Sequence, residues 1–244
     1  MTGLEVAILV SLICLMAALY ASIGHGGASG YLAVMALLGV TAIVMRPSAL
    51  MLNVLVATLA TVAFVRAGHF RWSLLWPFLI TSIPCAFLAG GYSINEPLFK
   101  RLVAATLLIA ALRMFMPARE VVIRPLSIPI AAISGALIGG LSGLVGVGGG
   151  ILLTPLMVIC RWATPREAAA VSAPFILLNS LAGIAGLLSI GFTVEPWLWL
   201  AAIAALVGGT VGARWSIQSA SQLWLRRALG VVLLIAAIKF VITS

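Results

Sequence analysis

The chain contains no aspartate. Its acidic residues, Glu5, Glu96, Glu120, Glu167 and Glu195, all fall at the ends of apolar runs or between them. A transporter of cations, or one coupled to sodium through carboxylates, places acidic side chains at membrane depth, so this inventory argues against both. Charge of either sign is scarce, at 8% of 244 residues, where a soluble domain carries roughly 25%. Cysteine is scarce too. Cys14, Cys85 and Cys160 lie far apart inside apolar stretches and read as small core residues, not as a disulfide or metal framework. No metal and no cofactor are expected. The first eleven residues hold Glu5 but no Lys or Arg, which is wrong for the charged region of a cleaved signal peptide, so 4–23 is expected to stay as a helix.

What the chain has in abundance is hydrophobic sequence: 64% of residues, with a mean hydropathy of +1.26. This composition predicts an all-α, multi-pass membrane protein. The net charge of +9 could suggest nucleic acid, but the 14 Lys and Arg are scattered singly or in pairs at segment ends and gather on no one face. A bias of basic residues toward the cytoplasmic side explains them better. Apolar segments fall near 4–23, 29–44, 48–65, 73–91, 102–116, 126–145, 151–160, 168–190, 197–213 and 225–242. Trp72, Trp76, Trp162, Trp197 and Trp224 sit close to segment ends, where an amphipathic ring prefers the headgroup level. Thr164-Pro165-Arg166-Glu167 spells a capping box at a helix start, so Glu167 reads as structural.

The ten segments form two sets of five. Lys100 to Arg113 aligns without gaps to Arg226 to Lys239, with basic residues bracketing both stretches in the same register. This predicts one transmembrane domain over 1–244, built from repeat 1 (about 1–118) and repeat 2 (about 124–244). Near the start of each repeat a glycine-rich turn interrupts the apolar sequence: Gly24-His25-Gly26-Gly27-Ala28-Ser29-Gly30, and Gly146-Val147-Gly148-Gly149-Gly150. If the segments flanking each turn return to the side they entered from, Arg66, Arg71, Arg113, Arg119, Arg124, Arg161, Arg166, Arg214, Arg226 and Arg227 share one side, and Arg46, Lys100, Arg101 and Lys239 the other. That asymmetry marks the first side as cytoplasmic. Each repeat then crosses an odd number of times, so the two repeats are inverted and both chain ends face away from the cytoplasm.

Residues 151–160 make only about 15 Å of helix, half the roughly 30 Å of hydrocarbon. This helix ends at the basic side, so Gly148 to Gly150 are expected near mid-membrane. The first turn should match it from the opposite side, although the apolar run that follows is longer. Irregular backbone at that depth is tolerated only where protein or a water-filled cavity surrounds it. Two half-helix N-termini meeting there offer unpaired N–H groups and positive dipole ends, and glycine removes the Cβ atoms that would hold a ligand off the backbone. Such a site wants an anion. The expected substrate-binding residues are Gly24, His25, Gly26, Gly27, Ser29, Asn53, Gly146, Gly148, Gly149, Gly150, Ser172 and Asn179, with Thr58 and Ser180 as further polar groups on the following helices. The polar side chains among them serve helix packing equally well.

The two repeats, each with Gly-x-Gly-Gly-(Gly/Ala) after its first helix, then a short apolar helix and an Ala-rich helix containing Asn or Ser, resemble the sulfite exporter TauE/SafE family of membrane transporters. Gly146 to Pro155 and Ala168 to Asn179 carry the likeness most specifically. The resemblance implies movement of sulfite or an organosulfonate across the bacterial cytoplasmic membrane, and no enzymatic activity. His25 replaces the apolar residue commoner at its place in the first turn. It can donate to an oxyanion, carry a proton if transport is proton-coupled, or tie the turn together through a carbonyl. A passive anion channel would use the same glycines and dipoles. Gly27-Ala28-Ser29-Gly30 also resembles the Gly-x-Ser-Gly of rhomboid intramembrane proteases, but His69 sits at the wrong end of its segment to reach Ser29. The Gly-x-Gly-x-x-Gly spacing lacks the strand and ribose-binding acid of a dinucleotide site.

Overall fold

The computed structural model describes residues 2–22, 26–115, 122–216 and 222–242, and all regular structure among them is helical. The helices are α1 (Gly3–Ser22), α2 (Ala28–Leu37), α3 (Ala42–Arg66), α4 (Trp72–Gly90), α5 (Glu96–Phe115), α6 (Ile128–Val145), α7 (Gly150–Ile159), α8 (Pro165–Ile190), α9 (Trp197–Ser216) and α10 (Gln222–Ile242). Five are long and apolar enough to cross a membrane, namely α1, α3, α4, α6 and α8. Large apolar side chains such as Leu88, Leu137 and Leu188 point outward along them. In lipid such an exterior needs no compensation.

The helix starts follow from local chemistry. Thr164 caps α8: its hydroxyl accepts from Glu167 N at 3.3 Å, while Glu167 returns a carboxylate oxygen to Thr164 N at 2.9 Å. The capping box expected from sequence is therefore present. Glu167 also pairs with Arg71 at 3.2 Å, joining the start of α8 to the start of α4. One boundary differs from the hydropathy reading. The apolar run 29–44 is not one helix: α2 stops at Leu37, Gly39 takes φ +73, and α3 begins at Ala42. Glycine relieves the Cβ clash that such a backbone imposes on other residues. Hence α2, like α7, has 10 residues.

Close packing depends on small residues. Gly135, Gly139 and Gly143 lie one turn apart on α6 and meet the backbone of Phe78, Ser82 and Ala86 on α4. Gly208 and Gly212 of α9 meet Cys14 and Ala18 of α1 in the same way. With lipid as solvent, this backbone approach supplies the dispersion contacts that hold helices together. The main pairs are α1 with α9, α4 with α6, α5 with α10, α4 with α8 and α3 with α8; α3 also touches α9, α2 touches α10 and α5 touches α7. The three cysteines are free. Trp162 and Trp197, expected among interfacial rings, are buried instead, and Trp162 tilts against Phe78 with centroids 6.1 Å apart.

Ends of helices gather at two places. Val6 in α1, Gly39 to Thr41 after α2, and Glu195 to Trp197 at the start of α9 line one cavity of about 590 Å³. Lys239 near the end of α10 donates to Ala36 and Leu37 O at 2.8 and 2.9 Å, so it belongs to the same end. At the other end Arg124 N, before α6, donates to Arg161 O, after α7, at 2.7 Å. The beginning of α1 thus lies with the finish of α2, and the beginning of α6 with the finish of α7.

Candidate functional site

Each short helix is about 15 Å long, and each starts from a glycine turn in the interior. The second turn is fully described. Gly146 N donates to Ser142 O at 2.8 Å and closes α6 at φ +84, and Gly148 (φ +76) and Gly149 (φ +80) continue in the left-handed region before α7 begins. Glycine tolerates this sequence of positive φ values, whereas side chains would strain it. Of the first turn, Gly26 and Gly27 are described; Gly24 and His25 lie outside the described residues.

The two turns converge on the same side chains. A Cβ at Gly26 would lie 3.0 Å from Ile176 Cδ1 and 3.6 Å from Asn53 Oδ1. A Cβ at Gly148 would lie 2.7 Å from Ile176 Cγ2, 2.7 Å from Asn53 Nδ2 and 3.3 Å from Ser180 Oγ. One at Gly150 would strike Ile176 Cδ1 and lie 3.5 Å from Ser172 Cβ. Bare backbone from both turns therefore faces α3 and α8. Asn53 is the twelfth of 25 residues in α3, and Ile176 the twelfth of 26 in α8, so the meeting point is at the middle of both long helices.

The polar groups here are conspicuously underused. Asn53 is 0% exposed, yet neither its Nδ2 nor its Oδ1 has a hydrogen-bond partner among the described residues. Ser180 Oγ is also unpartnered, as is Asn179 Oδ1, whereas Asn179 Nδ2 donates to Phe175 O at 2.8 Å. A buried polar atom left without a partner costs about 1–3 kcal/mol. Such atoms call for a ligand or water. The α7 N-terminus beside them supplies N–H groups with the positive end of its dipole.

Several expected contributors are occupied elsewhere. Ser172 Oγ and Thr154 Oγ1 are 2.7 Å apart, which ties α8 to α7. Ser29 donates to Tyr20 Oη at 2.7 Å, so its proton is directed to a tyrosine and not to a histidine; His69 is exposed after α3. Gly27 faces the Tyr31 ring, and Gly149 faces Ile138 and Phe175, 2.7 and 2.9 Å from where its Cβ would be. Gly146 faces the Arg46 backbone. Thr58 is exposed and donates to Val54 O at 2.6 Å. The cavity of about 590 Å³ at the helix ends is lined by none of these residues.

Sequence reasoning missed Ile176 and misjudged Arg46. An isoleucine in an apolar helix carries no signal of its own. Arg46 reads as an interfacial charge between two segments, but it lies in the second turn of α3 and is 7% exposed. Its guanidinium donates to Gly143 O at 2.8 Å, Ala89 O at 2.6 Å, Gly90 O at 2.7 Å and Tyr92 O at 3.1 Å. These carbonyls finish α4 and nearly finish α6, where the helix dipole is negative. Arg46 thereby clamps three helices seven residues, about 10 Å, from Asn53.

The comparisons with known proteins point to a membrane transporter. The chain is 35% identical over 246 residues to the "Probable membrane transporter protein y4hK" of Sinorhizobium fredii, an alignment covering 97% of this chain and 96% of that protein. No solved structure matches the chain significantly. The family model described as sulfite exporter TauE/SafE matches residues 9–240. By that match, which spans nearly its whole length, the chain belongs to the sulfite exporter TauE/SafE family.

Proposed function

We propose that this membrane transporter carries a small sulfur-containing anion, sulfite or an organosulfonate, across the cytoplasmic membrane, binding it between the two glycine turns. The observation that carries this reading is Asn53: buried at the midpoint of α3, without a partner among the described residues at either amide atom, and set against Gly26 of one turn and Gly148 of the other. An anion placed there would accept from Asn53 Nδ2 and from the free N–H groups of the α7 start, in a low dielectric that strengthens each bond. Charged partners make hydrogen bonds roughly twice as strong as neutral ones.

The same proposal includes a single domain of two inverted repeats. Exchanging α1–α5 with α6–α10 turns the α1–α9 pair into α6–α4, α3–α9 into α8–α4, and α2–α10 into α7–α5, while α3–α8 and α5–α10 map onto themselves. A two-fold relation between the halves predicts such a pattern. The start of α1 lies with the finish of α2, and that of α6 with the finish of α7, at opposite ends of the bundle. This supports paired, re-entrant segments and a site reached alternately from either side.

The test is counterflow in proteoliposomes. Labelled sulfite or ethanesulfonate should accumulate transiently in vesicles loaded with the unlabelled compound, because a carrier exchanges through an alternating site and a channel does not. Gly26→Val adds bulk at the site, where a Cβ would lie 3.0 Å from Ile176 Cδ1. It should weaken uptake by about 5- to 150-fold, the equivalent of 1–3 kcal/mol of overpacking. Gly140→Val, where a Cβ would meet nothing within 4 Å, should behave like wild type. Full counterflow by Gly26→Val would remove the turns from the substrate site.

A further inference from the structure

The halves of the site are not equivalent. Asn53 and Ile176 occupy the same ordinal position in α3 and α8, and a Cβ at either Gly26 or Gly148 would meet both. One wall is therefore an amide with two free hydrogen-bonding atoms. Beside it lies a branched alkyl side chain, 2% exposed, that also covers Gly150 at the start of α7.

We infer that Ile176 is the specificity-determining residue of this site, and that its side chain selects an organic sulfonate over an inorganic oxyanion. The inference rests on the anion site proposed above and divides its two substrate classes. A sulfite ion presents oxygen lone pairs or the sulfur lone pair in every direction. Seated against Asn53 and Ile176, it surrenders its hydration on the Ile176 side and receives only methyl groups in return, an uncompensated loss. A sulfonate is divided as the site is. Its three oxygens reach Asn53 Nδ2 and the amides at the start of α7, while its carbon turns toward Ile176 and buries apolar surface against it. Ser180 Oγ, beside Gly148, adds a hydrogen bond on the oxygen side. The δ-methyl of Ile176, lying over Gly26 and Gly150, also limits how long that carbon chain can be.

The experiment measures dissociation constants of the full-length, detergent-purified protein for hydrogen sulfite and ethanesulfonate at mildly acidic pH, where each carries one negative charge. Wild type should bind ethanesulfonate at least about tenfold more tightly, which is what one or two well-packed methylenes give. Ile176→Asn makes the walls alike and should reduce that ratio by about tenfold or reverse it. Ile176→Thr keeps the β-branch and replaces the ethyl arm with a hydroxyl; it should move the ratio the same way by a smaller factor, and it covers the case in which Ile176→Asn does not fold. A role confined to packing would alter stability and leave the ratio alone. The inference is overturned if wild type binds hydrogen sulfite as tightly as ethanesulfonate, or if neither substitution shifts the ratio. Failure of wild type to bind either anion would instead overturn the anion site itself, and this inference with it.

Discussion

Replacing Asn53 with leucine should stabilise the empty protein and cripple binding at once. Leucine keeps the γ-branched shape of asparagine at a larger volume and removes two buried polar atoms that have no partners among the described residues. Each such atom costs about 1–3 kcal/mol when the site is empty. Recovering even one of these terms raises the melting temperature by roughly 2–4 °C per kcal/mol in a chain of this size. The bound state responds the opposite way. A hydrogen bond to a charged partner contributes about 1.5–3 kcal/mol, so the dissociation constant should rise by roughly 10- to 150-fold. Thermal unfolding in detergent, with and without saturating ethanesulfonate or sulfite, reads both effects in one series: the empty variant melts above wild type, and the ligand-induced shift disappears. An ordinary structural asparagine behaves differently, because truncating it strands its partners and lowers the melting point. A variant that melts lower than wild type when empty, and keeps its ligand-induced shift, would refute the reasoning from unpartnered atoms.

Arg46→Met strips four carbonyls, on Gly143, Ala89, Gly90 and Tyr92, of a charged donor; a loss of about 3 kcal/mol is expected, with Arg46→Lys intermediate, and thermal melts indistinguishable from wild type would show that the clamp is dispensable. For the inverted topology, a cysteine placed at Ala118 should resist an impermeant reagent in intact cells while a C-terminal reporter behaves as periplasmic; ready labelling of position 118 from outside would reverse the assignment of sides.

Where local chemistry is explicit, the sequence could be read closely. Thr164 and Glu167 announce a helix start through reciprocal hydrogen bonds between neighbours, and no tertiary contact is needed to predict them. The half-length of α7 was legible because Arg161 and Gly150 bound its apolar run at both ends. The equal shortness of α2 was not. Leu38 and Val40 to Val44 continue the hydrophobic run past the end of the helix, and hydropathy does not register the left-handed backbone at Gly39. At the site, glycine patterning located both turns, and Asn53 stood out as an amide in an apolar helix. Which serines are free could not be read, because the partners of Ser29 and Ser172, Tyr20 and Thr154, are set by packing between helices. Ile176 was invisible for a related reason: an apolar residue on an apolar helix acquires meaning only from what faces it.

The pairing of helices has a consequence for how this molecule is made. α1, α2 and α5 find their principal partners in α9 and α10, the last helices to leave the ribosome. Pairs that can form earlier are α4 with α6 and α8, and chain neighbours such as α2 with α3 and α7 with α8. For most of its synthesis the first half must therefore wait in the bilayer with its small-residue faces unmatched and α2 without Lys239 at its end. An incomplete chain is thus an exposed one, presenting to quality-control proteases the glycine-lined surfaces that the finished protein conceals.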